Sequence, residues 1–388
     1  MNHLYSLLGT RQAGGAEGVN EPDFAEPVAY DVLDRFDKAL RLAHGTMLLG
    51  EDITAAEDKV AQQVEQALKA LRQDKAKVLP VNQRLGLETV VRADGTRPSL
   101  VITGDGVNPD HPMAVCWREQ LAATREAVRL LTGATARVQP RGGSRTRFFG
   151  TAFLICAAPA RLVTNRHVAM QALRRAVATR EAAAHPLLSS YRVHAGTIEA
   201  EFDGSQDSKI KKVVAVERVI LPPWPNTVGQ PSMDIAVLEL SPSSIDKIPE
   251  PIKLQPSSDF ESEGTIHSFC IIGFPGSPAR RIGVVDGIDW AYVDRVIFNE
   301  SYGVKRLAPG VVTKSLEKID RHGAGYTFCH DATTLGGSSG SAICAWKDGK
   351  KIFGLHFSGI GSESNRAHGF SSPDTADLMR ALRVFPDT

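Results

Sequence analysis

The sequence predicts a mostly β protein led by a mainly helical N-terminal region, and two observations carry that prediction. From residue 134 to the end, short apolar runs bounded by Gly, Pro, Asn and Asp recur, among them 150–156, 161–169 and 232–240, and read as strands. Helical periodicity is instead concentrated in residues 28–133. A third observation concerns chemistry. The stretch Leu335-Gly336-Gly337-Ser338-Ser339-Gly340-Ser341-Ala342-Ile343 has the composition of a flexible linker. Thr333 and Thr334 lead into it, however, and the strand-like run 342–345 follows, so it is a loop clamped between ordered segments.

A nucleophilic serine needs such a loop, because its hydroxyl must be exposed while nearby backbone N–H groups converge on one point. Glycine permits the positive φ angles that this demands. Serine alone is inert and needs a base and an orienting carboxylate. His167 ends the strand in Leu162-Val-Thr-Asn-Arg-His-Val-Ala169, and Asp234 opens the strand in Asp234-Ile-Ala-Val-Leu-Glu-Leu240. The gaps along His167…Asp234…Ser339 are about 67 and 105 residues. These motifs, with "IIGFPG" (271–276) and "HDATTLGGSSGSAI…GLHFSG" (330–359), resemble the trypsin-like peptidase domains of bacteria, nearest the glutamyl-endopeptidase branch. The resemblance runs from about Val138 to Phe385. It implies two six-stranded β-barrels of chymotrypsin type, at about 136–240 and 265–359, within a peptidase domain over 134–388. Residues 242–256 would make the crossing between barrels, and a helix over 373–384 would close the chain. Gly336-Gly-Ser338-Ser-Gly340 also fits the nucleophile elbow of α/β-hydrolases, but the residues that follow are too few for the acid and histidine strands that fold requires.

The resemblance assigns a role to each residue. His167 would be general base and then general acid, suited to both by an imidazole pKa near neutrality. Asp234 would fix its tautomer, and Ser339 would attack the carbonyl. The N–H groups of Gly337 and Ser339 would form the oxyanion hole. Thr334 and His356 match positions that contact an acidic substrate side chain, and Phe357, Gly359 and Asp331 would line or support the site. His356 reads equally as a plain strand histidine. Thr333, at the base of the pocket, is not an aspartate, which disfavours cleavage after Lys or Arg. Ser338 stands where animal digestive relatives carry an aspartate, so activation would not rest on that salt bridge.

Residues 1–27 are rich in Gly, Glu, Pro and Ala and are expected to lack fixed structure. Residues 30–43 align Val32, Leu33, Phe36 and Leu40 on one face, and Thr54-Ala-Ala-Glu57 is a capping box opening a helix through Leu71. Segments 88–92 and 99–103, separated by Asp94-Gly95, read as a hairpin. Asp110 and Pro112 then open a helix that Gly133 ends. Residues 170–188 read as a predominantly helical insertion after His167.

The chain has 388 residues, 42% hydrophobic and 23% charged, with a formal charge of +1, which gives no field to draw nucleic acid or anionic lipid. No apolar run approaches the length of a membrane span, and the start has no secretory pattern. Five cysteines, none in zinc-site spacing with histidine, suggest free thiols and a cytoplasmic setting without metal or other cofactor. The partners expected are a protein or peptide substrate and a regulator acting through the N-terminal helices. The function read here is a serine endopeptidase, cleaving after acidic residues and gated by the N-terminal region. The rival is a catalytically silent binding module on the same scaffold, which loss of any of the three residues would have favoured.

Overall fold

The computed structural model describes residues 97–104, 106–109, 111–186, 188–194, 196–207, 212–222, 233–243, 248–252, 268–278, 284–285, 288–319, 324–345, 352–360, 364–370 and 376–384. The expectations for 1–27, the two helices before residue 72 and the 88–92 strand lie outside these.

The described chain opens with two short strands, β1 (Leu100–Thr103) and β2 (Gly106–Val107), a 3₁₀ turn at Pro112–Trp117, and helices α1 (Arg118–Ala123) and α2 (Arg125–Ala134). The single helix expected over 110–133 is thus broken at Thr124. Its φ of −113° leaves the helical region, and its hydroxyl donates back to the Gln120 carbonyl at 2.6 Å.

The first sheet comprises β3 (Thr135–Pro140), β4 (Gly150–Ala157), β5 (Ala160–Thr164), β6 (Ala178–Glu181), β7 (Ser189–Val193), β8 (Ile198–Glu201), β9 (Val213–Leu221) and β10 (Ala236–Leu240). Six of these follow the order β10-β5-β4-β3-β8-β9 and close into a barrel where β9 pairs with β10. Strands β3, β5 and β10 are buried along nearly their whole length, and the charged residues among them, Arg137, Arg161 and Glu239, are paired. Helix α3 (Arg166–Arg175) links β5 to the hairpin β6–β7, whose β7 pairs with residues 218–221 of β9, beyond those that pair with β8. The helical expectation for 170–188 therefore fails after Arg175. The Ala-rich sequence favours helix locally, but β9 pairs with residues 189–192 and β7 with 178–181, and tertiary pairing overrides propensity.

The second sheet comprises β11 (Ser268–Gly273), with the two-residue strands β12 (Val284–Val285) and β13 (Ile288–Asp289) pairing outside it. It continues with β14 (Arg306–Ile319), β15 (Ala324–His330), β16 (Ala342–Ala345), β17 (Ile352–Ile360) and β18 (Ser364–Gly369). The ring β11-β16-β17-β18-β15-β14 closes through β11 and β14, making the second six-stranded barrel of a chymotrypsin-like fold. Its last strand lies beyond residue 359. Strand β1 adds to the outer side of β14, with Leu100 opposite Leu307. A short helix, α4 (Ala376–Ala381), ends the described chain.

Buried charge ties the parts together. Arg137 on β3 pairs with Glu201 on β8 at 2.5 Å and donates to the Gly303 carbonyl ahead of β14. Lys305 donates to the carbonyls of Thr132 on α2 (2.6 Å) and Phe202 after β8 (2.5 Å). Burial pushes its ammonium down to about 7.

Candidate active site

Asp234 lies just before β10, whose residue Ala236 pairs with Thr164 at the end of β5. This register brings Asp234 to the start of α3, where its Oδ1 accepts the backbone N–H of His167 at 2.8 Å. Its Oδ2 and the ring Nδ1 of His167 are 2.5 Å apart. Two bonds to one residue fix both the backbone and the imidazole of His167. Asn165 adds a third link by donating to the Asp234 carbonyl at 2.8 Å. Burial opposes the Asp234 carboxylate, but the charge and hydrogen bonds of His167 outweigh it and hold its pKa below the ordinary value. The His167 side chain remains one-third exposed (32%).

A residue that sequence reasoning missed holds the aspartate from behind. The backbone N–H of Asp234 donates to Nε2 of His368 on β18 at 3.0 Å. The His368 ring stacks on Phe357, centroids 4.1 Å apart and planes 15° from parallel. To accept at Nε2 the ring must be neutral, and burial pushes its pKa down to about 4.

Ser339 lies in the second barrel, in the loop that leads into β16. Its carbonyl accepts the N–H of Thr151 on β4 at 2.9 Å. A Cβ on Gly150 would lie 3.0 Å from that same carbonyl and 2.7 Å from a methyl of Val168, the residue after His167. The serine loop therefore packs onto the strand and helix that present the histidine. Among the described residues the Ser339 hydroxyl reaches the Phe357 carbonyl, at 3.5 Å, the outer limit of a hydrogen bond.

The loop geometry depends on two glycines. Gly337 has φ +95° and Gly340 has φ +90°, a region that side chains rarely adopt. A Cβ on Gly337 would lie 2.6 Å from the Phe274 carbonyl, and one on Gly340 would overlap the Thr151 carbonyl. Gly336 and Gly337 give their carbonyls to Gly276 N–H (2.6 Å) and the Thr151 hydroxyl (2.8 Å). Among the described residues no protein acceptor takes the N–H of Gly337 or of Ser339. Thr151 was also missed from sequence. Nothing in a strand threonine announces that its hydroxyl and amide hold a loop 186 residues away.

The expected specificity residues are placed as follows. Thr334 is buried and donates to Asn365 Oδ1 at 2.6 Å, while Asn365 donates to the Ala332 carbonyl at 2.5 Å. His356 on β17 is buried, with its Nδ1 3.2 Å from His330 Nε2. Burial, then the charge of His167, pushes its pKa down to about 3. Burial and His356 push His330 well down too. Gly359 pairs with Asn365 across β17 and β18, and Phe357 supplies the contacts above. Asp331 accepts the Val311 N–H and pairs with Arg97.

Two closed six-stranded barrels, with a carboxylate-held histidine on one and a glycine-bent serine loop on the other, are the makings of a chymotrypsin-class hydrolase. The chain belongs to the trypsin-like peptidase domain family, which it matches over residues 150–355. It is 31% identical over 301 residues to a curated "Probable serine protease" of Lysobacter enzymogenes, covering 77% of this chain and 76% of that protein. Among solved structures it is similar to the inactive form of a protein of M. tuberculosis H37Rv, at 14% identity and TM-score 0.38. That match covers 69% of this chain and 95% of the other. The serine endoprotease from Yersinia pestis is 15% identical at TM-score 0.36, over 67% of this chain and 66% of its own.

Proposed function

We propose that the chain is a serine endopeptidase in which Ser339, His167 and Asp234 form the catalytic triad. The observation that carries this reading is the pair of hydrogen bonds by which Asp234 accepts the backbone N–H and the ring Nδ1 of His167, on a helix whose neighbouring strand packs against the loop of Ser339. With Nδ1 held by the carboxylate, Nε2 is the nitrogen left to take a proton. The Ser339 hydroxyl gives its proton to Nε2 as Oγ bonds to the substrate carbonyl carbon. The tetrahedral oxyanion is held by the N–H groups of Gly337 and Ser339. Collapse expels the amine, which takes the proton from the imidazolium. Water then enters by the same route and releases the acid, restoring Ser339.

Cleavage after Glu or Asp belongs to the same proposal. It rests on the positions of Thr334 and His356 in the sequence, since a hydroxyl and a neutral imidazole can donate to a carboxylate without burying a permanent charge; Thr334 would have to release Asn365, and His356 its buried setting against His330, to meet one. The substrate is a protein or peptide in the cytoplasm, and the N-terminal region is where a regulatory partner would act.

The test is labelling by a fluorophosphonate probe, with peptide mapping of the modified residue. Labelling at Ser339 that Ser339→Ala and His167→Ala abolish is the expected result. Absence of labelling in the wild-type chain would remove the endopeptidase reading and favour the binding module. A peptide library profiles the specificity separately; enrichment of basic or aromatic residues before the cut would remove the acidic preference alone.

A further inference from the structure

The residues just upstream of the barrels are bonded to the stretch that leads into the serine loop. Arg97 pairs with Asp331 at 2.8 Å, and the side chains are only 18% and 8% exposed, so solvent screens the pair little. The Arg97 backbone carbonyl accepts the hydroxyl of Thr333 at 2.6 Å. Its guanidinium also sits over the Trp117 ring, 5.4 Å from the centroid, which fixes its approach from the outer side.

These contacts continue along the strand. Ser99 gives its carbonyl to Arg306 at 2.5 Å, β1 pairs with β14, and the Ile102 N–H donates to the Lys305 carbonyl at 3.0 Å. Arg97 therefore stands three residues ahead of a strand anchored to the second barrel. On the other side, Asn365 holds Ala332 and Thr334. The four residues 331–334 are thus gripped alternately, Asp331 and Thr333 by Arg97, Ala332 and Thr334 by Asn365. They lead directly to Leu335, whose carbonyl accepts the Ser338 N–H at 2.9 Å and whose side chain is fully buried beside Trp290 and Phe298.

We propose that Arg97 is a positioning residue for the peptidase, setting through Asp331 and Thr333 the geometry of the loop that carries Ser339. The inference rests on the reading of Ser339 as nucleophile. It gives the N-terminal region a mechanical handle, because anything that draws Arg97 away from residues 331–333 releases the loop. Residues 97–103 are then part of the working peptidase and not of a detachable appendage.

The test uses the full chain with Arg97→Ala, Arg97→Lys, Thr333→Val and Thr333→Ser, assayed on one peptide substrate with active sites counted by fluorophosphonate titration. A residue that only stabilises the fold changes how many sites titrate, not the turnover of each. The expected result is a fall in kcat per titrated site of about tenfold or more in Arg97→Ala and Thr333→Val, with KM within about twofold. Thr333→Ser, which keeps the hydroxyl, and Arg97→Lys, which keeps the charge, should recover most of it. Wild-type turnover per titrated site in Thr333→Val, or no recovery in the two conservative variants, overturns the proposal; should Arg97→Ala not fold, the other three variants decide. Failure of the wild-type chain to label would instead strike the endopeptidase reading itself.

Discussion

Three buried neutral histidines surround the candidate site, and they predict a specific acid sensitivity. His356 is held at about 3 and His368 at about 4, each chiefly by burial, and His330 is pushed down in the same way. In the unfolded chain all three would titrate near 6.5. Below that value the unfolded state takes up protons that the native state refuses, so stability falls as pH drops and is flat above it. At about pH 5 the folded values of His356 and His368 still lie lower, so the loss depends on the unfolded value alone and is roughly 2 kcal/mol per histidine. His356 and His368 together cost about 4 kcal/mol, a large share of the roughly 5–15 kcal/mol that holds a protein folded. Melting of the Ser339→Ala chain, which cannot digest itself, should fall by about 10 °C between about pH 7 and pH 5. His330→Phe identifies the source. The ring packs edge-on to Phe269 at 5.3 Å, so phenylalanine suits the site but takes up no proton. Removing the partner of His356 lowers the melting point at neutral pH, but the further loss on acidification should shrink by about a third. A melting point unchanged between the two pH values, or an unaltered slope in His330→Phe, would refute the reasoning.

Three further substitutions probe the site directly. Asp234→Asn cannot accept from both the backbone N–H and the ring of His167, so kcat should fall by about 10⁴ with little change in KM. Gly340→Ala places a methyl against the Thr151 carbonyl at a positive φ; a loss of more than about 3 kcal/mol in denaturant titration, with no labelling of Ser339, is expected. His368→Phe keeps the stack on Phe357 but leaves the Asp234 N–H unpaired, at a cost of about 1–3 kcal/mol. Steady-state kinetics should show its kcat lowered at constant KM, since the carboxylate and not a binding contact is displaced.

His167, Asp234 and Ser339 stood out in the sequence because the first two lie at the ends of strand-like runs and the third in a glycine-rich loop, within motifs in the order of the resembled peptidases. Glycines at 337 and 340 were readable for the same local reason: a tight turn needs them. What was not legible is long-range. Strand β18, Ser-Asn-Arg-Ala-His-Gly, shows no alternation of apolar and polar residues. It is a strand because β15 and β17 offer it partners on both edges. Likewise His368 reaches Asp234 across 134 residues and Thr333 reaches Arg97 across 236. Such partners follow from which strands lie side by side, and no local pattern encodes that.

These missed residues have a common geometry. The histidine and aspartate belong to the first barrel, yet Asp234 is held by His368 of the second. The serine loop belongs to the second, yet two successive-but-one carbonyls, of Gly337 and Ser339, are held by the side chain and backbone of Thr151 from the first. Each half of the site is thus oriented by the opposite barrel. The candidate groups of each barrel are therefore braced by the other barrel as well as by their own, so part of the entropy of aligning them is met by barrel docking. The Arg97 contacts extend the same logic by one element, since Asp331 and Thr333 are held by a residue that leads into a strand added to the edge of the second barrel. A site built this way is sensitive to displacements of its outer strands that leave its own residues untouched.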